Sequence, residues 1–271
     1  MKTEFIIPSF IYLYDENIIS EIDISSFVEF LQKYFPFSII RFRKSFLNYW
    51  IPRSKWKGGN LTKIAFRLAQ TRINQIEIQK VTTTIPLPEE VDFEQSFLLG
   101  NKRNPKRVIY DACRVIAIYS ELFDREELNL DHCHLVLTDR LLGVWGKEER
   151  RYQIKGVVFG NPTLISISGI LERLSQLKRF EEENEQNMGR TERGSCDKTE
   201  QLQEIVKGHM LQALFYYITG NPFCSNRNCC LFEDRSQEDI IHAQLKVESD
   251  LCPFHHQMIE DLLVKTSFQA F

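Results

Sequence analysis

Residues 201–230, QLQEIVKGHMLQALFYYITGNPFCSNRNCC, and residues 251–256, LCPFHH, decide how the rest of the chain is read. Leu202, Ile205, Val206, Met210, Ala213, Leu214, Tyr217 and Ile218 recur at helical spacing, with His209 on the same stripe. Gly220 supplies a left-handed stop and Pro222 prevents continuation. Directly after it come Cys224 and Cys229, and later Cys252 and His255, spaced C-x4-C…C-x2-H. Thiolate and imidazole are the donors tetrahedral Zn2+ prefers, and two short ligand pairs on separate turns are how structural zinc sites are built. Cysteine is also often buried without ligating anything. Two paired sites within one short segment of a chain with seven Cys favour a structural Zn2+. His256 is the reserve for His255, and His242 is an outside candidate.

The same residues resemble the C-terminal core of the archaemetzincins and, more closely, a related group of archaemetzincin-like metallopeptidase homologues. The family's helix reads H-E-x-x-H-x-x-G-x-x-H-C, then x4-C-x-M and a later C-x-x-C. Anchored on Cys224, the pattern puts its glycine on Gly220, its next cysteine on Cys229, its Met-turn methionine on Leu231 and its third cysteine on Cys252. The fourth cysteine becomes His255, a competent ligand. The three metal-binding histidines become Ala213, Tyr217 and Phe223, and the general-base glutamate becomes Leu214. A catalytic zinc needs three protein donors and an activated water, and Ala and Phe donate nothing. The resemblance therefore implies an α/β fold, a mixed sheet flanked by helices with a zinc-stapled C-terminal helical subdomain, and argues against peptidase chemistry.

At 271 residues the chain can bury one large core or two modest ones. A net charge of −3 gives no global field that selects polyanions. No apolar run approaches the roughly 20 residues a bilayer span needs. The opening, MKTEFIIPSFIYLYDEN, is broken by Pro8 and lacks a small-residue cleavage site, so it reads as a first strand. An odd cysteine count beside a Cys/His cluster points to the reducing cytoplasm.

Along the chain, Ile11 to Tyr14 and Phe37 to Phe42 read as strands around a helix led by Ser26 and Glu29, a β-α-β opening with parallel pairing. Residues 82–106, with Pro86, Pro88, Gly100 and Pro105, read as a long loop. Arg107 to Tyr110 is a short strand, and Asp111 caps the helix after it. Leu135 to Leu137, Gln153 to Phe159 and Leu164 to Ile167 are strands of one sheet that packs on the 202–219 helix. Residues 181–200 carry almost no apolar side chain and read as a mobile insertion. Residues 236–247 fit one short helix. The expected division is an N-terminal α/β portion, 1–130, and an archaemetzincin-like portion, 131–271, within one continuous unit.

Three functions stay open at this point. The first is a catalytically inactive metallopeptidase relative holding a peptide or protein in its former substrate cleft. The second is an active, atypical metallopeptidase using His132, His134, Asp139 and His209. The third is a nucleic-acid-binding zinc protein. Between residues 41 and 80, Arg41, Arg43, Lys44, Arg53, Lys55, Lys57, Lys63, Arg67, Arg72 and Lys80 face one acid, Glu77, with Tyr49, Trp50 and Trp56 among them. Cations and stacking planes are what single strands bind. No specific motif accompanies them, so a solvated helix face is the favoured reading and nucleic acid is disfavoured.

Overall fold

Among the described residues, five strands pair in the order β2-β1-β5-β9-β8 and four more in the order β3-β4-β6-β7, two sheets where one was expected. The computed structural model describes residues 5, 7–16, 23–53, 61–79, 85–100, 108–176, 198–232 and 250–269. Most of the 181–200 insertion and all of the 236–247 helix expected above lie outside those residues, as does His242. The chain forms two units, one of residues 1–10, 19–40 and 170–271, the other of residues 11–18 and 41–169.

The second unit holds most of both sheets. β1 (Phe10–Asp15) and β2 (Ile39–Lys44) begin in the first unit and run into it. Ile39 N–H bonds Ser9 O and Ser45 N–H bonds Asp15 O. The offset is 39 − 9 = 30 in the first case and 45 − 15 = 30 in the second, as a parallel pair requires. β5 (His132–Thr138) pairs in parallel with β9 (Thr163–Ser166), joining Leu135–Leu137 and Leu164–Ile165 in one sheet. Both strands are apolar and buried along their middles, the mark of a central parallel pair. β8 (Val157–Val158) closes the order antiparallel to β9.

The segment 153–159 is therefore not one strand. β7 (Arg151–Lys155) belongs to the other sheet, antiparallel to β6 (Leu141–Gly146), and the chain changes sheets at Gly156. That sheet is completed by β4 (Ile109–Asp111), parallel to β6, and by the two-residue β3 (Arg72–Ile73). Both sheets are mixed, and the fold is α/β.

The helices depart from expectation in two places. α1 (Ile24–Tyr34) starts at Asp23, whose carboxylate accepts the Ser25 N–H, so Ser26 lies inside the helix. The expected loop at 82–106 contains α4 (Pro88–Leu98). Pro88 stands at its first position, and Glu90 reaches back to the Leu87 N–H at 2.9 Å. Gly100, at φ 75°, follows its end. α2 (Phe46–Trp50), α3 (Leu61–Gln70) and α5 (Ala112–Ser120) complete the described helices of this unit, α5 lying against β4, β6 and β9.

At the centre of the second unit is a buried ionic network. Arg140, fully buried, donates Nη1 to Glu94 Oε2 at 2.8 Å. Glu94 Oε1 accepts from Arg72 Nε and Nη2 and from the Tyr110 hydroxyl. The rings of Phe97 and Tyr110 each lie 4.7 Å from the Arg140 guanidinium. Buried Glu16 accepts from Tyr119 and Thr138.

In the first unit, residues 167–176, most of them in this unit, form α6, followed by α7 (Lys198–Thr219) and α8 (Pro253–Gln269). α7 is buried all round from Gly208 to Phe215, broader than the stripe its periodicity suggested. α1 lies against it, with Lys207 Nζ 5.7 Å from the Phe30 ring centroid. No described helix is long and apolar enough to cross a membrane.

Candidate metal centre

The end of α7 prepares the first ligand pair. Gly220, at φ +75°, takes the left-handed turn, and its N–H bonds Tyr216 O at 2.8 Å. The chain reverses through Asn221 and Pro222 and enters a closed loop. Cys224 N–H bonds Leu231 O at 2.8 Å, Cys229 N–H bonds Asn226 O, and Phe232 N–H returns to Cys229 O. Asn226 N–H donates to Cys224 Sγ at 3.3 Å, so the turn aims a backbone dipole at the sulfur.

The second pair is fixed by the start of α8. Pro253 begins the helix, and His256 N–H to Cys252 O is one of its first bonds. Cys252 and His255 are three residues apart and so share a face. Cys230 N–H bonds Asp250 O at 3.2 Å and ties the two arms together. Asp250 also accepts from Tyr34 at 2.6 Å, beside Lys33.

Cys224, Cys229, Cys252 and His255 converge, with all four ligand atoms within 4.8 Å of one another. Cys252 Sγ lies 3.1 Å and Cys229 Sγ 3.7 Å from His255 Nδ1, and Cys224 Sγ is 3.9 Å from Cys252 Sγ. Phe215 and Phe254 stand edge-on to the His255 ring. Burial holds the His255 imidazole below its usual range, which keeps it a neutral donor. The same burial, with the neighbouring thiols, pushes Cys224 up to about 12. His256 is exposed and faces Asp250, so His255 is the imidazole of the group. Three sulfurs and one nitrogen, with no carboxylate, suit zinc and not a hard cation such as Mg2+ or Ca2+. The group could hold a metal ion such as zinc.

The other candidates stand elsewhere. Ala213 and Leu214 are buried, while Tyr217 and Phe223 are half-buried. His209 Nδ1 lies 2.9 Å from Gln212 Oε1, on its own helix. Asp139 accepts from Ser168 at 2.6 Å. His134 is held on both sides: Nδ1 accepts from Tyr14 at 3.0 Å, and Nε2 donates to Glu127 O at 3.1 Å. His132 packs against the Tyr12 ring. Among the described residues, no metal-holding group includes any of these four.

Burial pushes the His134 imidazole down to about 3, past the opposing pull of the Glu127 carbonyl. Its folded value lies below the usual 6.5, so its stabilisation is complete above pH 6.5 and is lost as pH falls from there toward 3. Urea midpoints should therefore drop between pH 7.5 and 5, and the drop should flatten in His134→Gln. An equal drop in both proteins would show that other groups carry it.

Among the described residues of the basic stretch, three arginines pair with acids. Arg43 forms a double bond pair with Glu127 at 2.8 and 3.0 Å, stacked 3.6 Å from the Tyr12 ring centroid. Arg67 pairs with Glu121, and Arg72 with buried Glu94. Trp50 is buried, its indole N–H on Tyr14. The acids all come from outside residues 41–80, which is why local charge counting missed them. Lys55, Trp56, Lys57 and Lys80 lie outside the described residues.

Fold and centre together define an α/β protein with a C-terminal Cys3His group. Residues 7–262 match the family described as "Probable metallopeptidase family (DUF6775)", and the chain belongs to that family. Membership in a metallopeptidase family is what the resemblance of residues 201–256 implied. No curated protein matches the chain. Among solved structures it is similar to the archaemetzincin of Methanopyrus kandleri, at 12% identity over 94% of this chain and 96% of that one, with a TM-score of 0.45.

Proposed function

We propose that this chain is a non-catalytic member of its metallopeptidase family, with Cys224, Cys229, Cys252 and His255 holding one structural zinc. The observation that carries the reading is α7 itself. Its interior face offers Ala213 and Leu214 where a peptidase helix needs a histidine and a general base, and neither can bind a metal or move a proton. The Cys3His group supplies four protein donors, which leaves no position for an activated water. When bound, zinc there would cross-link the Cys224–Cys229 loop to the start of α8.

The partner in this reading is an extended peptide or a protein segment. β8 supports it, because Val157 and Val158 end the strand order of their sheet and pair there with β9. A backbone laid along such an edge binds by main-chain hydrogen bonds without needing catalysis.

The test is purified protein incubated with an unfolded protein substrate, beside metal analysis. The expected result is no cleavage and about one zinc per chain. Chelator-sensitive cleavage that survives repurification and vanishes in His209→Ala would overturn the non-catalytic assignment.

A further inference from the structure

The three sulfurs of the Cys3His group differ in environment. Cys229 is fully buried and accepts the Cys252 N–H at 3.5 Å. Burial shields that sulfur from an oxidant in solvent. Cys224 is the part-exposed member, with one N–H on its sulfur, from Asn226. A small oxidant arriving from solvent meets Cys224 first, and Cys252 Sγ stands 3.9 Å behind it.

We propose that a peroxide converts this metal staple into a covalent one, linking Cys224 to Cys252 and expelling the zinc. The inference rests on the reading that zinc occupies the group. Cys224 thiolate takes one oxygen from hydrogen peroxide, the O–O bond breaks, and protonation of the departing hydroxide gives sulfenic acid and water. Cys252 thiolate then attacks that sulfur, the S–O bond breaks, and the second hydroxide leaves as water. Two thiolates, one peroxide and two protons become one disulfide and two waters; sulfur is oxidised and peroxide reduced. The sulfurs must close from 3.9 Å to about 2.05 Å, a rotamer-scale movement.

Cys229 and His255 are left as two donors, too few to retain the ion. The new bond joins residues 28 positions apart, one from each arm, so the arms stay connected after the metal has gone. Oxidation therefore differs from chelation: both remove zinc, but only chelation leaves the arms unlinked. Cys230 contacts the buried sulfur and takes no part in the link.

The experiment uses the full chain, reduced and zinc-loaded, treated with hydrogen peroxide in the presence of a chromogenic zinc chelator. The expected result is loss of the bound zinc, a Cys224–Cys252 peptide on mapping, recovery of zinc binding after dithiothreitol, and the same behaviour in Cys230→Ser. The thermal midpoint of the oxidised protein should lie above that of the reduced, metal-stripped protein. Zinc retained under peroxide, a link through Cys229 or Cys230, or release without a disulfide would overturn the switch alone. Absence of zinc before peroxide would overturn the metal reading and the switch with it.

Discussion

Cys252→Ser should abolish zinc binding and destabilise the first unit by on the order of 10 kcal/mol in apparent free energy, the scale of a structural zinc site. Cys252 offers one of the four ligand atoms, donates its N–H to Cys229 Sγ, and starts α8 through its carbonyl. Without a metal, the backbone bond from Cys230 to Asp250 is a slender tie between the two arms. Among the described residues of the two arms, the buried aliphatic anchors are Leu231, Leu251, Ile259 and Leu262. Two histidine variants make the prediction specific. His255→Ala should lose zinc and lower the thermal midpoint steeply. His256→Ala removes an exposed ring 3.9 Å from Asp250 and should stay within about 0.5 kcal/mol of the parent. Equal zinc contents in the two variants, or Cys252→Ser with unchanged melting, would show that no metal clamps these arms.

The metal group was legible because its signals are local. Helix periodicity, the stop at Gly220 and the two ligand pairs each lie within a few residues, and the fold only has to bring two turns together. His255 could be preferred over His256 because C-x2-H keeps the C-x-x-C spacing of the family that the stretch resembles. β5 and β9 were legible for a similar reason: short apolar runs bounded by Gly- and charge-rich turns suit buried strands. The α4 segment failed because Pro86, Pro88 and Gly100 were all taken as breakers. Pro88 is an initiator there, since a first-turn residue needs no N–H donor, and Glu89 and Glu90 suit the positive end of the helix. Residues 153–159 failed because a chain that crosses from one sheet to another at a glycine keeps its β character on both sides. In the basic stretch Arg43, Arg67 and Arg72 pair with Glu127, Glu121 and Glu94, and such pairings leave no trace in sequence spacing.

Arg140→Met should cost about 3–5 kcal/mol at neutral pH, although no sequence motif marks Arg140. The guanidinium is wholly inside the second unit, bonded to Glu94 and flanked by two aromatic rings. Burial pushes the Glu94 carboxyl up, but Arg140 and Arg72 outweigh it and hold it below its usual value. Burial likewise pushes Glu16 up, and there the opposing pull of Arg140 does not prevail. Methionine fills much of the same volume, so the loss is electrostatic: Glu94 keeps Arg72 and the Tyr110 hydroxyl, and Glu16 loses its nearby cation. Two further measurements separate this from a packing defect. Because the folded Glu94 value is lowered, the parent's stabilisation from it is present above the ordinary carboxylate range and is lost as pH falls through the folded value. In Arg140→Met the carboxyl can take up a proton instead, so the gap between parent and variant should narrow from pH 7 to pH 4. Adding Glu94→Gln to Arg140→Met should recover part of the loss, since the uncompensated charge is gone. A gap that is independent of pH, together with additive losses in the double variant, would mean that Arg140 acts through its packing against Phe97 and Tyr110 and not through its charge.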